Sequence, residues 1–194
     1  MILSDIELYP LSKTKKINGT RRLVREKVLQ ILVSFEISGS DLDFLFKNIF
    51  YRDYTFDPEN PPEGKLLRPD EIIELESDTP IEWKDEDIIF ARDLLNATIE
   101  LQDFTINLIK EEVLHWEIDR IALIDRILIN MALAELMKFS EISEKVTMNE
   151  IIEIAKQYST DKSHIFINGL LDSFRKKLKA EGRIIKTGKG LLDK

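Results

Sequence analysis

Arg21, Arg22 and Arg25 fall within five positions of one another, and Lys13, Lys15 and Lys16 precede them. With Lys27 this makes seven cations between residues 13 and 27 against one acid, Glu26. Cations at this density have the chemistry to neutralise a run of phosphates along single-stranded RNA. Arg22 and Arg25 are three apart and share one face of a helix. Cations in the opening turns of a helix oppose its dipole, which favours negative charge at that end. A site carrying this electrostatic cost is a candidate for holding an anion. The plainer reading is a solvated basic surface.

A second group is Lys162, Ser163, His164 and Phe166. An exposed aromatic ring beside cations is a platform on which a base can stack. On residue type alone Phe166 is first read as a core side chain, packed on Ile127 or Leu170. A third group, Asp119, Asp125 and Glu135, projects from the central helices. Paired carboxylates can do acid–base work, but no nucleophile or phosphate-cradling glycine loop accompanies them. They read better as an acidic patch for a basic protein partner, with plain surface charge as the competitor. Asn168-Gly169 sits inside a helical pattern, where glycine costs about 1 kcal/mol against alanine. Close helix packing, with Asn168 bonded to a neighbouring backbone, is the expected reason.

Composition narrows the classes. The chain has 194 residues, 43% hydrophobic and 33% charged, which is the balance of a single folded domain. It has no cysteine and two histidines, 115 and 164, so neither a disulfide framework nor a metal centre is expected, and no cofactor. No run approaches the roughly 20 apolar residues of a bilayer span, and the first ten residues carry Asp5 and Glu7, unlike a signal peptide. A soluble, cytoplasmic, non-enzymatic protein is the expectation. Net charge is −8 but unevenly spread: residues 36 to 120 hold 23 acids and eight bases, whereas residues 172 to 194 hold eight bases and three acids. Basic ends could meet phosphate, and an acidic middle could face water or a cationic partner.

The elements that must position these groups are helical. Residues 1–19 read as a flexible basic arm. Thr20 is placed to cap a helix that Gly39 ends. Leu42 to Tyr51 is a short apolar helix. Residues 52 to 84 carry five of the six prolines and many acids and read as a long surface insertion. Asp85 to Leu114 is the longest helical pattern, Trp116 to Ile121 a short turn or helix, and Leu123 to Phe139 is apolar on nearly every side, as a central bundle helix must be. Thr147-x-x-Glu150 fits a capping box opening the next helix. The last helix spans about 163 to 179, with Gly182 beyond it and a basic tail over 181–194. The pattern predicts an all-α bundle of about seven helices, with one domain over 20–180.

Several of these segments, in order, resemble the NusB family of bacterial transcription antitermination factors. Arg21-Arg22-Leu23-Val24-Arg25-Glu26 with Leu29-Gln30 matches the family's first helix. Arg92-Asp93-Leu94-Leu95 and the Ala132 to Leu136 step match later helices. Val146-Thr147-Met148-Asn149-Glu150, Ala155-Lys156 and Phe166-Ile167-Asn168-Gly169-Leu170-Leu171-Asp172 complete the series. The matches span residues 21 to 35 and 90 to 172.

The resemblance implies two packed helical subdomains and binding of the boxA element of ribosomal RNA transcripts. It implies that binding occurs together with NusE, a small-subunit ribosomal protein, and that the complex joins RNA polymerase to suppress termination. It places Lys15, Lys16, Arg21, Arg22, Arg25, Lys162, Ser163, His164 and Phe166 at RNA, and assigns Asp119, Asp125 and Glu135 to NusE. Some family members pair as homodimers that hide the RNA surface. Two positions depart from the pattern: Val33 stands where a tyrosine is frequent, and Lys162 where an acid is frequent. A similar helical module is fused to certain ribosomal RNA cytosine methyltransferases. The lack of a glycine-rich cofactor loop favours the free-standing factor. A bundle with only protein partners is the third reading, and the arginine-rich first helix counts against it.

Overall fold

The computed structural model describes residues 17–51, 81–112 and 120–192. Lys13, Lys15, Lys16, His115, Trp116, Asp119 and most of the 52–84 insertion lie outside them.

The chain opens with β1 (Ile17–Asn18), then α1 (Arg21–Ser38) and α2 (Leu42–Phe46), the latter continuing as a π-helical turn over Lys47–Tyr51. After β2 (Ile81–Glu82) come α3 (Asp85–Glu100), α4 (Gln102–Glu112), α5 (Leu123–Lys138), α6 (Glu144–Tyr158), α7 (Ser163–Ala180) and a short 3₁₀ turn, Gly188–Leu191. The all-α class with seven α-helices is therefore as expected.

Most helix ends follow from local chemistry. The Thr20 hydroxyl accepts the Leu23 N–H at 3.2 Å, and Gly39, at φ 65°, returns its N–H to the Phe35 carbonyl. That left-handed conformation is open to glycine at little steric cost. Asp41 caps α2 through the Phe44 N–H.

Four local expectations need correction. Residues 17 to 19 are not a free arm: Ile17 pairs with Ile81 and Asn18 with Glu82 as a two-residue parallel bridge. The stretch 85–114 is two helices, broken at Leu101 without glycine or proline. There the Asn130 amide of α5 donates to the Thr98 carbonyl at 2.8 Å and accepts from the Thr105 hydroxyl at 2.6 Å. A buried amide from another helix satisfies the backbone at the break, so propensity does not reveal it. The cap of α6 is Ser143, bonded to the Val146 N–H, and not Thr147, which lies fully buried against Glu135. Finally, Asn168 and Gly169 are exposed, and a Cβ on Gly169 would meet nothing within 4 Å, so helix packing does not require the glycine.

α5 is the axis of the bundle. Ile127, Leu128, Ile129, Met131, Ala132, Leu133, Ala134 and Leu136 are all buried, so every side of it is covered. α1 and α3 pack on one side of it and α6 and α7 on the other, around one continuous core that also takes Phe46, Leu94, Ile109, Ile154, Leu171 and Phe174. Burial on this scale, at roughly 25 cal/mol per Å² of apolar surface, dominates the stability.

The basic tail is tied down as far as the 3₁₀ turn. Ile184 is buried, and the Lys186 ammonium donates to the Phe139 carbonyl at 2.9 Å at the end of α5. The Thr187 N–H donates to the Ser140 carbonyl, and Gly190 approaches that same carbonyl too closely to leave room for a Cβ.

Candidate nucleic-acid interface

The first turns of α1 lie over α3, α5 and α6, and the three arginines meet a carboxylate from each. Arg25 points inward. It is 2% exposed, and its Nε and Nη2 reach the two carboxylate oxygens of Glu135 at 2.7 and 2.8 Å. Glu135, 1% exposed, also accepts from the Thr147 hydroxyl at 2.7 Å. This is a two-pronged guanidinium–carboxylate pair in the core, with the remaining lone pairs satisfied. Two sequence-based expectations therefore change: Arg25 offers no charge to phosphate, and Glu135 offers none to a basic partner. They answer each other.

Arg21 and Arg22 remain about half exposed. Arg21 lies 3.5 Å from Asp87 and 4.4 Å above the Phe90 ring. Arg22 holds both oxygens of Glu150, at 2.8 and 2.9 Å. That pair raises the Arg22 pKa. It also holds the Glu150 carboxyl below the usual carboxylate range, chiefly through the hydrogen bond from Arg22. Cations opening a helix carried an apparent electrostatic cost in the sequence; Asp87, Glu135 and Glu150 now offset it. A guanidinium has five N–H donors, and Glu150 uses two of Arg22's. Its Nη1 group is left for a further acceptor.

Beside these arginines an open groove of about 1140 Å³ runs between α1, the first turns of α3 and the turn joining α5 to α6. Ile89, Phe90 and Val146 floor it, and Leu192 of the tail closes one side. Its rim alternates in sign, with Arg21, Arg22, Lys138 and Lys189 facing Glu86, Asp93, Glu141 and Glu150. Such a rim exerts little net pull on a polyanion.

From Arg22 the seam between α1 and α6 is bridged by side chains. Arg22 reaches Glu150 near the middle of α6, and further along Tyr158 donates to Glu26 at 3.0 Å. Burial, together with the hydrogen bond to Glu26, raises the Tyr158 phenol's pKa. The seam ends at the α6–α7 turn. Here Asp125 of α5 accepts from the Ser159 hydroxyl at 2.5 Å and from the Ser163 hydroxyl at 2.7 Å. Asp125 is 6% exposed and Ser163 4%. Neither presents itself to a partner, which corrects the expectations that Asp125 contacts a protein and Ser163 an RNA. Their joint work is to fix where α7 begins.

That start carries Lys162, His164 and Phe166. Lys162 is exposed, and among the described residues it pairs with no carboxylate. His164 and Phe166 are half-buried, and Phe166 rests on the edge of the core. Both readings of Phe166 thus hold a part of the truth: one side packs and the other is open. The first turn of α7 contains no acid, and Lys162 supplies no side-chain cap. Its uncapped N–H groups and positive dipole end favour an anion. Val33 of α1 packs against the core as a partly buried side chain.

No group of three or more histidine, cysteine or acidic side chains that could hold a metal occurs among the described residues. No described helix is long and apolar enough to cross a membrane.

Known proteins repeat this arrangement. The NusB family model matches residues 22–176. The transcription antitermination protein NusB of Chloroherpeton thalassium is 33% identical over 175 residues, which are 90% of this chain and 70% of that protein. A solved structure of T. maritima NusB is 25% identical and superimposes with a TM-score of 0.61, covering 85% of this chain and 99% of the other. A structure of antitermination factors NusB and NusE in complex with double-stranded RNA shares the fold, with a TM-score of 0.59 at 17% identity over 81% of this chain and 96% of the other. With the family model covering α1 through most of α7, and the seven helices following in its order, this chain belongs to the NusB family.

Proposed function

We propose that this protein is an RNA-binding transcription antitermination factor. It takes boxA-type RNA of ribosomal RNA transcripts on the face that runs from Arg21 and Arg22 along the α1–α6 seam to the start of α7. The carrying observation is the α7 N-terminus. A cation, a histidine and a half-open aromatic are held in place by the buried Asp125–Ser159–Ser163 cluster, in a chain of the NusB family. Phe166 stacks on a base, while Lys162 and His164 contact the flanking phosphates. Arg21 and Arg22 serve the other end of the strand with the donors their carboxylates leave unused. Lys15 and Lys16 extend that end. The protein acts in the cytoplasm, as a binding factor and not an enzyme.

NusE is the protein partner, and RNA polymerase receives the complex. With Asp125 and Glu135 inside the core, the surface left for a basic protein is α4, where Asp103, Glu111 and Glu112 are exposed, together with Asp119 beyond it. Complementary charge of this kind guides encounter and orientation. A homodimer through the RNA face would compete with RNA.

The test is a titration of a boxA-like RNA, with and without NusE, against a scrambled RNA of equal length. The reading expects the boxA-like RNA to bind more tightly, NusE to tighten it, and RNA to tighten NusE by the same factor, since coupling is reciprocal. Equal affinity for the two RNAs, unmoved by NusE, would refute it.

A further inference from the structure

Gly169 is a glycine that the fold does not need. It lies in the middle of α7, its backbone is helical, and a Cβ built on it would touch nothing within 4 Å. Alanine there would cost the fold no space, and it would favour the helix. The reason for glycine must lie outside the chain.

What surrounds it names the reason. Lys162, Phe166 and Gly169 are spaced i, i+4 and i+7, and so form one stripe down α7. A helical side chain leans toward the N-terminus and covers the turn before it. A side chain at position 169 would therefore lie over the open flank of Phe166 and beside Ile165, which is 64% exposed. Asn168, exposed, borders the same bare patch. Charge along the stripe runs from Lys162 at the N-terminal end to Asp172 one turn beyond Gly169, where Asp172 is held by Arg175 and Lys176. Next to it, Ser173 donates to Glu112 of α4. A phosphate is favoured near Lys162 and disfavoured near Asp172 and Glu112. The bare patch between suits a flat, uncharged group.

We propose that Gly169 is a positioning residue for RNA: it keeps the flank of Phe166 clear so that a base stacked on that ring can slide over the helix backbone, within reach of the Asn168 amide. This rests on the RNA reading above and adds to it a residue that admits the base by its lack of a side chain.

The experiment compares the intact protein with Gly169→Ala, Gly169→Gln and Phe166→Leu. Each is measured for thermal unfolding, for affinity to a boxA-like RNA, and for affinity to NusE alone. Gly169→Ala is expected to raise Tm by about 2–3 °C, the scale on which a helix-favouring change of this size acts in a chain of this length. It is also expected to weaken RNA. Gly169→Gln is expected to weaken RNA roughly tenfold, as the loss of one stacked base would. Binding to NusE alone should stay unchanged for both. Glycine variants that bind RNA like the unaltered protein, while Phe166→Leu binds less well, overturn this inference and leave the RNA reading standing. Failure of the unaltered protein to prefer the boxA-like RNA removes both. Weaker NusE binding with RNA affinity intact would make the patch a protein-docking surface and overturn the proposed role.

Discussion

The two ends of the α1–α6 seam hold similar residues in opposite circumstances. At the α1 end, three arginines meet three carboxylates from three other helices, and one of the pairs is sealed in the core. At the α7 end one lysine, one histidine and one phenylalanine stand on a turn whose only buried acid, Asp125, is turned inward to two serines. A cluster of cations in a sequence is a count of charges. What reaches a ligand is the charge left after the fold has paired what it can. By that measure the richer cluster is the more committed one, and the sparser cluster is the more available.

This contrast can be broken most forcefully at Arg25. Replacing Arg25 or Glu135 alone by alanine leaves a buried charge without its partner and should cost about 3–5 kcal/mol, read by chemical denaturation. The pair Arg25→Met with Glu135→Leu should recover most of that loss, because an apolar pair of similar volume carries no desolvation penalty. If Arg25→Ala were as stable as the unaltered protein and only RNA binding fell, the arginine would belong to the ligand after all.

Phe166→Leu sharpens the other end. It should cost about 1–3 kcal/mol of RNA binding through the lost stack, with less effect on unfolding because part of the ring already lies outside the core. A large drop in Tm with RNA affinity of the folded fraction intact would make Phe166 a core residue.

Salt dependence compares the two ends directly. Removing a phosphate contact to single-stranded RNA lowers the slope of log K against log salt by about 0.7. Lys162→Ala should show close to that decrement. Arg22→Ala should show less, because its charge is already shared with Glu150, and its loss also releases that carboxylate toward the RNA. A larger decrement for Arg22→Ala than for Lys162→Ala would invert the comparison.

The smallest effect is in acid. Glu150 titrates below the ordinary carboxylate range in the folded chain, mainly because of the hydrogen bond from Arg22. A carboxyl whose folded pKa is depressed contributes stability that is present above its unfolded pKa, near 4.3 for Glu, and lost as pH falls through the folded value. Glu150→Gln should therefore be less stable than the unaltered protein at neutral pH, by under about 1 kcal/mol because Arg22 is half exposed. The difference should vanish toward pH 3. A gap that persists in acid would show that Glu150 acts through packing and not through its charge.

Comparing sequence and structure position by position shows where legibility stops. Thr20, Gly39 and the apolar periodicity of α1, α5 and α7 were readable because caps and buried faces are local in sequence. The break at Leu101 was not, because the group that stabilises it, Asn130, comes from another helix. Thr147 was misread for a related reason: its hydroxyl has a fitting cap spacing, but Glu135 of α5 takes it. The same holds at the candidate site. The types Arg21, Arg22, Lys162 and Phe166 marked the face, whereas the inward turn of Arg25, Asp125, Glu135 and Ser163 depended on partners 12 to 110 residues away.

The sequence by itself determined the all-α class, the central place of the Leu123–Lys138 helix and the family, since hydrophobic period and ordered motifs are properties of neighbouring residues. Only the tertiary structure decided which charges are spent inside and which face out. A charged side chain reads the same in sequence whether its partner is water, phosphate or a carboxylate from another helix. Its fate is set by desolvation and pairing, and those exist only once the helices have packed.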